Sequence, residues 1–356
     1  MADNNFSLLN MDGLSDVCIK MLDMIEKAIG WTITPKGSRK DLEDALQYYK
    51  KTIMDDKTIP PIVKASRIAS AKKELTQYVN QGKIINNAGL ALKETATFKN
   101  VDLDWLSYFF DYAKNIQDEN IQKIWARLLA EQCNGDTSIR RNLIHILSLM
   151  DAETAVAFTN LCRLVIKVPI HNVSKALATR YIPEYVPVIS PFLVYSLYLA
   201  LPDDSEEKQA MLNYRSCIPN PEQLATFKEL GLINFRENQN EEFSYPYRDC
   251  LTHHRFEKVE SVEKRHKLVE TTRHDYIINY FSNVCCIAPD KSKHAKDPEY
   301  IKLGLVQFTS TGVALYKAIK VDEVDGFLFF LTKYLELQGL NVNIQQTKDA
   351  EVHSLR

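Results

Sequence analysis

Residues 104–149 read DWLSYFFDYAKNIQDENIQKIWARLLAEQCNGDTSIRRNLIHILSL, and this run determines the architecture of the first half of the chain. Apolar residues recur at i, i+3 and i+4 spacing in two stretches, a pattern typical of amphipathic helices. The polar cluster from Asn134 to Ser138 is typical of a turn. We therefore expect two helices, a tight turn and a third helix, with Trp105 and Trp125 facing inward.

Helical patterns continue on both sides of this block. Upstream they predict a helix over 14–29 that ends at Gly30, a second over 39–54 and a long one over 62–91. Weak helix formers near Asn86 and Gly89 leave open that this last stretch is two helices. Asp102 or Asp104 is expected to cap the first helix of the central block. Asp118 caps the next, and Asp151 caps a further helix through Val165.

The texture of the sequence changes after Pro169, where prolines and aromatic residues become frequent. Strands are predicted over 232–235, 303–309 and 340–344, with a helix before the first and another after the second. The predicted fold class is therefore mainly α, a helical N-terminal domain followed by a mixed α/β, winged-helix-like C-terminal domain. The expected parts are a helical region over 1–100, the central block over 101–168, a mixed domain over 169–345 and a flexible tail over 346–356.

Composition narrows the classes of function. The 356 residues include only 11 glycines, which argues against a nucleotide-binding fold with glycine-rich phosphate loops. The formal net charge is −2, so the chain as a whole has no positive electrostatic field that would attract nucleic acid. Seven cysteines without a C-x-x-C pair argue against zinc ribbons and thioredoxin-like sites. The N-terminus does not resemble a secretory signal, and no apolar run reaches 18 residues. We expect a cytoplasmic protein without a membrane span.

Arg140 and His145 form the best of the patterns that could suggest an enzyme. R-x4-H on a helix is typical of a class of helical ribonucleases, in which His transfers protons and Arg stabilises the charge of the phosphate. The alternative is a hydrogen-bonded structural histidine, with Arg140 or Arg141 solvated or capping the helix, and we favour it because His145 has apolar neighbours in sequence. These two residues are therefore weak catalytic candidates only.

Two other patterns could indicate a functional site, and each also has a simpler explanation. Cys250, His253, His254, His266 and His274 are dense enough for a metal site, but many charged residues among them favour a solvated segment. The segments 230–233 and 305–316 resemble the strands and helix of a winged helix, although about seventy residues separate them. We expect no metal and no cofactor.

The central block also resembles a known family. The residues that carry the resemblance are Trp105, Phe109, Phe110, Gln122, Trp125, Glu131, Ser138 and Arg140. Together with the run from Gly304 to Tyr316, they are similar to an uncharacterised bacterial family, domain of unknown function 2806. The match departs from the family pattern at Asn134–Thr137 and at His145, which the family does not share. The resemblance implies no established activity.

The function expected from these observations is a non-enzymatic interaction or regulatory module. A similar helical step in proteins linked to abortive infection places it, by analogy, in phage defence or stress. The alternatives are an RNA-directed effector using Arg140 and His145, and a winged-helix DNA-binding regulator. A protein partner or self-association is expected, and nucleic acid has no support from net charge. Within the block, an Arg140–Glu131 ion pair across the turn is predicted, and loss of a core tryptophan should cost about 3–5 kcal/mol.

Overall fold

The computed structural model describes residues 15–31, 39–135, 138–168, 184–236, 242–246, 276–290, 292, 300–319 and 321–346. The chain divides into two compact units. The first contains Met1–Ala155 with Lys317–Ile319, and the second contains Val156–Tyr316 with Lys320–Arg356. The described part of the first unit is helical and the second unit mixes helices with antiparallel strands, which confirms the coarse fold class.

Seven helices are described in the chain up to the end of the central block. They are α1 (Asp16–Ile29), α2 (Arg39–Asp55), α3 (Pro61–Ala91), α4 (Leu103–Ala113), α5 (Glu119–Asn134), α6 (Arg141–Ser148) and α7 (Ala152–Cys162). The long pattern over 62–91 is one continuous helix, and α3 packs on α2 and α5. α4 packs on α1 and α6.

Local signals explain where these helices begin and end. Ser15 accepts a hydrogen bond from the Cys18 amide at the start of α1, and Gly30 ends it with φ of +67°. Asp102, and not Asp104, caps α4, because its Oδ1 accepts from the Trp105 amide at 2.6 Å. Asp118 caps α5 through the Asn120 and Ile121 amides, each at 3.0 Å.

The prediction that the helix after Asp151 runs through Val165 is wrong. α7 ends at Cys162, and a turn at Arg163 and Leu164 leads into the first strand. The Arg163 guanidinium is used there in hydrogen bonds to the carbonyls of Asp322 (3.3 Å) and Glu323 (3.4 Å). Val165 and Ile166 are both buried, so an apolar run continues across the change from helix to strand.

The second unit is built around an antiparallel sheet of five strands in the order β2-β1-β5-β6-β9. These strands are β1 (Val165–Lys167), β2 (Tyr185–Pro187), β5 (Tyr276–Tyr280), β6 (Asn283–Pro289) and β9 (Leu340–Gln346). Two further pairs are β3 (Ile233–Phe235) with β8 (Val306–Phe308), and β4 (Ser244–Pro246) with β7 (Tyr300–Lys302).

The helices described in the second unit lie between these strands in the sequence. They are α8 (Pro191–Ala200), α9 (Glu206–Ser216), α10 (Pro221–Glu229), α11 (Ser310–Ala318) and α12 (Phe327–Glu336). The last two residues of α11 are assigned to the first unit. The β3–β8 pair with α10 before it and α11 after it occupies the segment read as winged-helix-like. The long insertion between β3 and β8 contributes β5 and β6 to the five-stranded sheet, so it is not a simple wing.

Candidate functional site

The aromatic residues predicted for the centre of the block form its core. Trp105 stacks on Phe109 with ring centroids 5.2 Å apart, and Phe109 meets the rings of Phe110 and Trp125 edge to face at 5.1 and 5.0 Å. All four side chains are buried. Trp105 Nε1 donates to the Ile139 carbonyl at 2.8 Å, which joins α4 to the segment that precedes α6. Among the described residues, Trp125 Nε1 finds no hydrogen-bond partner.

Gln122 is a buried polar residue with a structural role. Its Nε2 donates to the Ile116 carbonyl at 2.8 Å and to Asn80 Oδ1 at 3.4 Å. Asn80 Nδ2 in turn donates to the Lys114 carbonyl at 3.0 Å. These bonds hold the α4–α5 connection against α3. Buried amides satisfied in this way specify one packing arrangement.

The turn after α5 is held differently from the prediction. Within the described part of the chain, no ion pair joins Glu131 to Arg140; Arg140 and Ser138 are exposed and Glu131 is half-buried. The neighbouring Gln132 makes the connection instead. Its Nε2 donates to the Asn100 carbonyl, and its Oε1 accepts from the Ile139 amide at 2.7 Å. A buried neutral amide avoids the desolvation cost of an ion pair at this position.

Backbone contacts extend this connection to the segment before α4. The Asn134 side chain accepts from the Lys93 amide at 3.0 Å, and the Phe98 amide donates to the Cys133 carbonyl at 2.9 Å. Gly135 has φ of +82°, and a Cβ there would lie 2.0 Å from Thr97 Oγ1. A Cβ at this C-cap would therefore displace the Thr97 side chain and strain the backbone, which favours glycine.

Two tyrosines and two basic residues lie together on an exposed face formed by α4 and α6. The Arg141 guanidinium lies 5.6 Å from the centroid of the Tyr108 ring. The rings of Tyr108 and Tyr112 are 5.1 Å apart, and the His145 ring lies 6.0 Å from that of Tyr112. Both tyrosines are half-buried, whereas Arg141 and His145 are exposed. We call these four residues the α4–α6 face.

Helix spacing explains the composition of this face. Tyr108 and Tyr112 are four residues apart on α4, and Arg141 and His145 are four apart on α6, so each pair points to one side of its helix. A side-chain hydrogen bond to Tyr112 is the main reason that the pKa of Tyr108 is raised, with desolvation adding to it and Arg141 opposing it. The Tyr108 hydroxyl therefore stays protonated at neutral pH.

The structure pairs His145 with Arg141 more closely than with Arg140. Arg140 is the extended N-cap of α6, with φ of −74° and ψ of 146°, so its side chain leaves before the first turn. Five residues correspond to about 140° around a helix axis. His145 is accessible to solvent. The interpretation of His145 as a hydrogen-bonded structural histidine stays a prediction. Chemically, the face offers a cation, an imidazole and two phenols, which suit binding of a partner or of an anion.

Sequence reasoning missed Tyr108, Tyr112, Arg141 and Gln132. The signal for the tyrosines is a Y-x3-Y spacing on the side of α4 away from Phe109 and Phe110. For Gln132, the signal is a polar residue that follows the apolar stripe of α5. Neither signal shows which residues these side chains contact, because the α4–α6 face and the Gln132 contacts form between segments distant in sequence.

Possible metal ligands and cysteine thiols are described for part of the chain. There, no group of three His, Cys, Asp or Glu side chains could hold a metal ion. The segment with Cys250, His253, His254, His266 and His274 lies outside those residues. Six cysteines are described; all are buried, and none of the six forms a disulfide. Burial raises the pKa of Cys133 and of Cys285 to about 12, which keeps both thiols protonated at neutral pH.

No described helix is long and apolar enough to cross a membrane. The chain matches no curated protein and no solved structure. One protein family does match, over a segment that includes α4, α5 and α6 together with most of α3. Residues 65–185, which contain the aromatic core, the Gln132 contacts and the α4–α6 face, match the family described as protein of unknown function (DUF2806).

Proposed function

We propose that this protein is a non-enzymatic interaction module, and that its first unit binds a protein partner through the α4–α6 face. The observation that carries the proposal is the cluster of Tyr108, Tyr112, Arg141 and His145 on an exposed surface. Tyrosine and arginine are the residue types that dominate binding energy at protein interfaces. The rings also lose little conformational entropy on binding, since contacts with neighbouring side chains already orient them.

The core beneath the face supports the same function. Phe109 and Phe110, which follow Tyr108 directly in α4, are buried, and Leu143, Ile144 and Leu147 anchor α6. The four functional groups are thus presented by two helices with fixed packing. A preorganised surface of this kind binds without the cost of ordering a loop.

Photo-cross-linking in cells tests the proposal. A photoreactive amino acid placed at Tyr112 should give a discrete higher-mass adduct, and the Arg141→Ala substitution should reduce its yield by about tenfold. The same amino acid at Lys123, an exposed position of α5, is the matched control. Equal adducts from both positions would remove the basis for a specific interface.

An RNA-directed effector is the second candidate, and the shared face of Arg141 and His145 favours it. Cleavage of RNA and DNA should be measured for wild type, Arg140→Ala, Arg141→Ala and His145→Ala, with metal added and removed. If cleavage is present in wild type and is lost in His145→Ala and in either arginine variant, the enzyme replaces the interaction module. We expect no cleavage by any of the four proteins.

For the second unit, we propose that the α10–β3–β8–α11 segment has a structural or protein-binding use. α10 carries Glu222, Lys228 and Glu229, so its charge is not suited to DNA. The winged-helix regulator would instead be favoured by DNA binding that depends steeply on salt and is lost when exposed charged residues of the second unit are substituted by neutral ones. A role in phage defence or stress stays a prediction by analogy.

A further inference from the structure

The helices α2 and α3 form a hairpin whose end has few buried residues. Residues 48–73, here called the basic arm, include the end of α2, the connection and the start of α3, and within them only Ile53 and Ala71 are buried. α3 has 31 residues, so it is about 46 Å long at 1.5 Å per residue. Its packing on the core begins near Asn80 and continues through Ile84, Ile85 and Ala88.

The basic arm is ordered by its own contacts. The Lys64 ammonium donates to the Met54 carbonyl at 2.7 Å, which ties the start of α3 to the end of α2. Asp56 Oδ1 accepts from the Thr58 amide at 2.8 Å and from the Thr58 hydroxyl at 2.6 Å. These two hydrogen bonds also lower the pKa of Asp56, so the connection keeps its shape at neutral pH.

Charge is distributed unevenly between this hairpin and the rest of the chain. The basic arm contains seven Lys or Arg against two Asp, a formal net charge of +5, whereas the whole chain carries −2. The cations lie on both helices and in the connection; they are Lys50, Lys51, Lys57, Lys64, Arg67, Lys72 and Lys73. All except Lys64 are exposed. A local field of this size attracts polyanions even though the overall net charge is negative.

Exposed aromatic residues accompany these cations. Tyr48 is 75% exposed and Tyr49 is 46% exposed. Tyr48 is three residues before Lys51 on α2, so the ring and the ammonium are neighbours on the helix surface. An exposed ring beside cations is the combination with which proteins bind single strands, because bases stack on the ring while the cations contact phosphates.

From this charge and these rings we propose that the basic arm binds single-stranded nucleic acid, through its phosphate backbone and through stacking on Tyr48. This activity uses a surface different from the α4–α6 face. We expect binding by the basic arm to be independent of base sequence, since lysines contact phosphates and a phenol ring stacks on any base. RNA and DNA share these groups, and both serve as probes below.

The other polyanions and partners fit the arm less well. Asp55 and Asp56 lie in the connection, where insertion into an anionic bilayer would bring two carboxylates to the lipid. Pairing of two arms from two copies would bring together two charges of +5. A duplex offers phosphates but keeps its base faces stacked inside, so Tyr48 would contribute nothing.

Fluorescence anisotropy with the purified full chain tests the proposal. The probes are a labelled 20-nucleotide oligo(U), oligo(dT) of the same length and a duplex. We expect binding at 50 mM salt that weakens steeply as salt increases. The variant Lys50→Gln/Lys51→Gln/Lys72→Gln should bind oligo(U) at least tenfold more weakly, with the slope of log K against log salt smaller by about two, since each phosphate contact on a single strand contributes about 0.7.

Two controls separate the arm from general charge. Lys27→Gln/Lys99→Gln/Lys123→Gln removes the same charge from exposed sites of the first unit outside the arm and should change affinity less than threefold. Tyr48→Leu keeps an apolar side chain and all cations; it should weaken oligo(U) about tenfold, leave the salt slope unchanged and not affect the duplex. Circular dichroism of each variant checks that the helices are intact.

The outcomes are distinct. Equal losses in the two triple-lysine variants would overturn the arm as the binding site. An unchanged affinity of Tyr48→Leu, or a duplex bound as tightly as oligo(U), would overturn recognition of single strands. Absence of binding to every oligonucleotide at 50 mM salt, with or without binding to vesicles containing phosphatidylserine, would overturn the proposal entirely.

Discussion

Gln132 shows how one side chain can replace the ion pair expected at the turn after α5. It accepts from the Ile139 amide and donates to the Asn100 carbonyl from a site that is 1% exposed. We expect Gln132→Leu to lower the free energy of unfolding by about 2–3 kcal/mol, because two buried backbone groups lose their partners. Denaturation in urea, followed by tryptophan fluorescence, measures the change.

The neighbouring residue provides the matched control for this substitution. Glu131→Gln removes the charge of the predicted ion pair while keeping the shape of the side chain. We expect a change within about 0.5 kcal/mol, as for a surface substitution. A larger loss in Glu131→Gln than in Gln132→Leu would restore the Glu131–Arg140 interpretation.

Tyr280 has a comparable role in the second unit. Its hydroxyl donates to the Arg163 carbonyl at 3.1 Å and accepts from the Val324 amide at 2.8 Å. Tyr280→Phe keeps the ring contact with Phe327 but leaves both backbone groups unpaired. The expected cost is about 1–3 kcal/mol. Calorimetry should show a lower transition temperature, and an unchanged one would mean that water replaces the hydroxyl.

At the scale of elements, helix caps decide boundaries that periodicity leaves open. Asp102 and Asp104 were equivalent candidates in the sequence, and only Asp102 accepts from the Trp105 amide. Asp102→Ala should cost about 1 kcal/mol, the usual value for a lost N-cap. Asp104→Ala, in the first turn of the same helix, should cost at most a few tenths through the helix dipole. Equal costs in urea denaturation would contradict the assignment of the cap.

The same elements show what sequence reasoning can reach. The ends of α1, α4 and α5 were predictable because Ser15, Asp102, Asp118 and Gly135 act within a few residues of the helix ends they cap. The sheet was not. β6 contains Cys285 and Cys286 in a short apolar run, and its partner β9 lies more than fifty residues later. Periodicity cannot identify such a long-range pairing, and β1 even extended the helical pattern of α7.

The candidate site was also predictable only in part. The aromatic core was predictable because Trp105, Phe109 and Trp125 follow a helical stripe. The α4–α6 face was not, because Tyr108 meets Arg141 only after α4 packs on α6. The pair proposed from sequence, Arg140 and His145, depended on a motif whose spacing takes no account of the N-cap conformation.

At the scale of the molecule, the six described cysteines predict a response to pH and to alkylation. The pKa of Cys133 is raised by burial from 9.0 to about 12, and that of Cys285 to the same value. Unfolding exposes thiols that ionise near their ordinary pKa, so their contribution to stability is present below pH 9 and is lost as pH rises from 9 to about 12. The native protein should therefore resist iodoacetamide at pH 8.

Mass spectrometry of alkylated peptides checks this expectation. The peptides with Cys133 and Cys285 should stay unmodified in native buffer and react completely in guanidinium. Rapid labelling of Cys285 in native buffer would contradict this expectation and would show that the strand pair β6–β9 opens.

The length of α3 has a consequence for how the molecule opens. One continuous helix begins in the exposed hairpin and ends among buried Ile84, Ile85 and Ala88. Backbone amides along this single helix should therefore exchange with deuterium over a wide range of rates. Protection should increase stepwise from the turn at Lys64 to the turn at Ile85, so that the first turns fray and re-form many times during each global unfolding event.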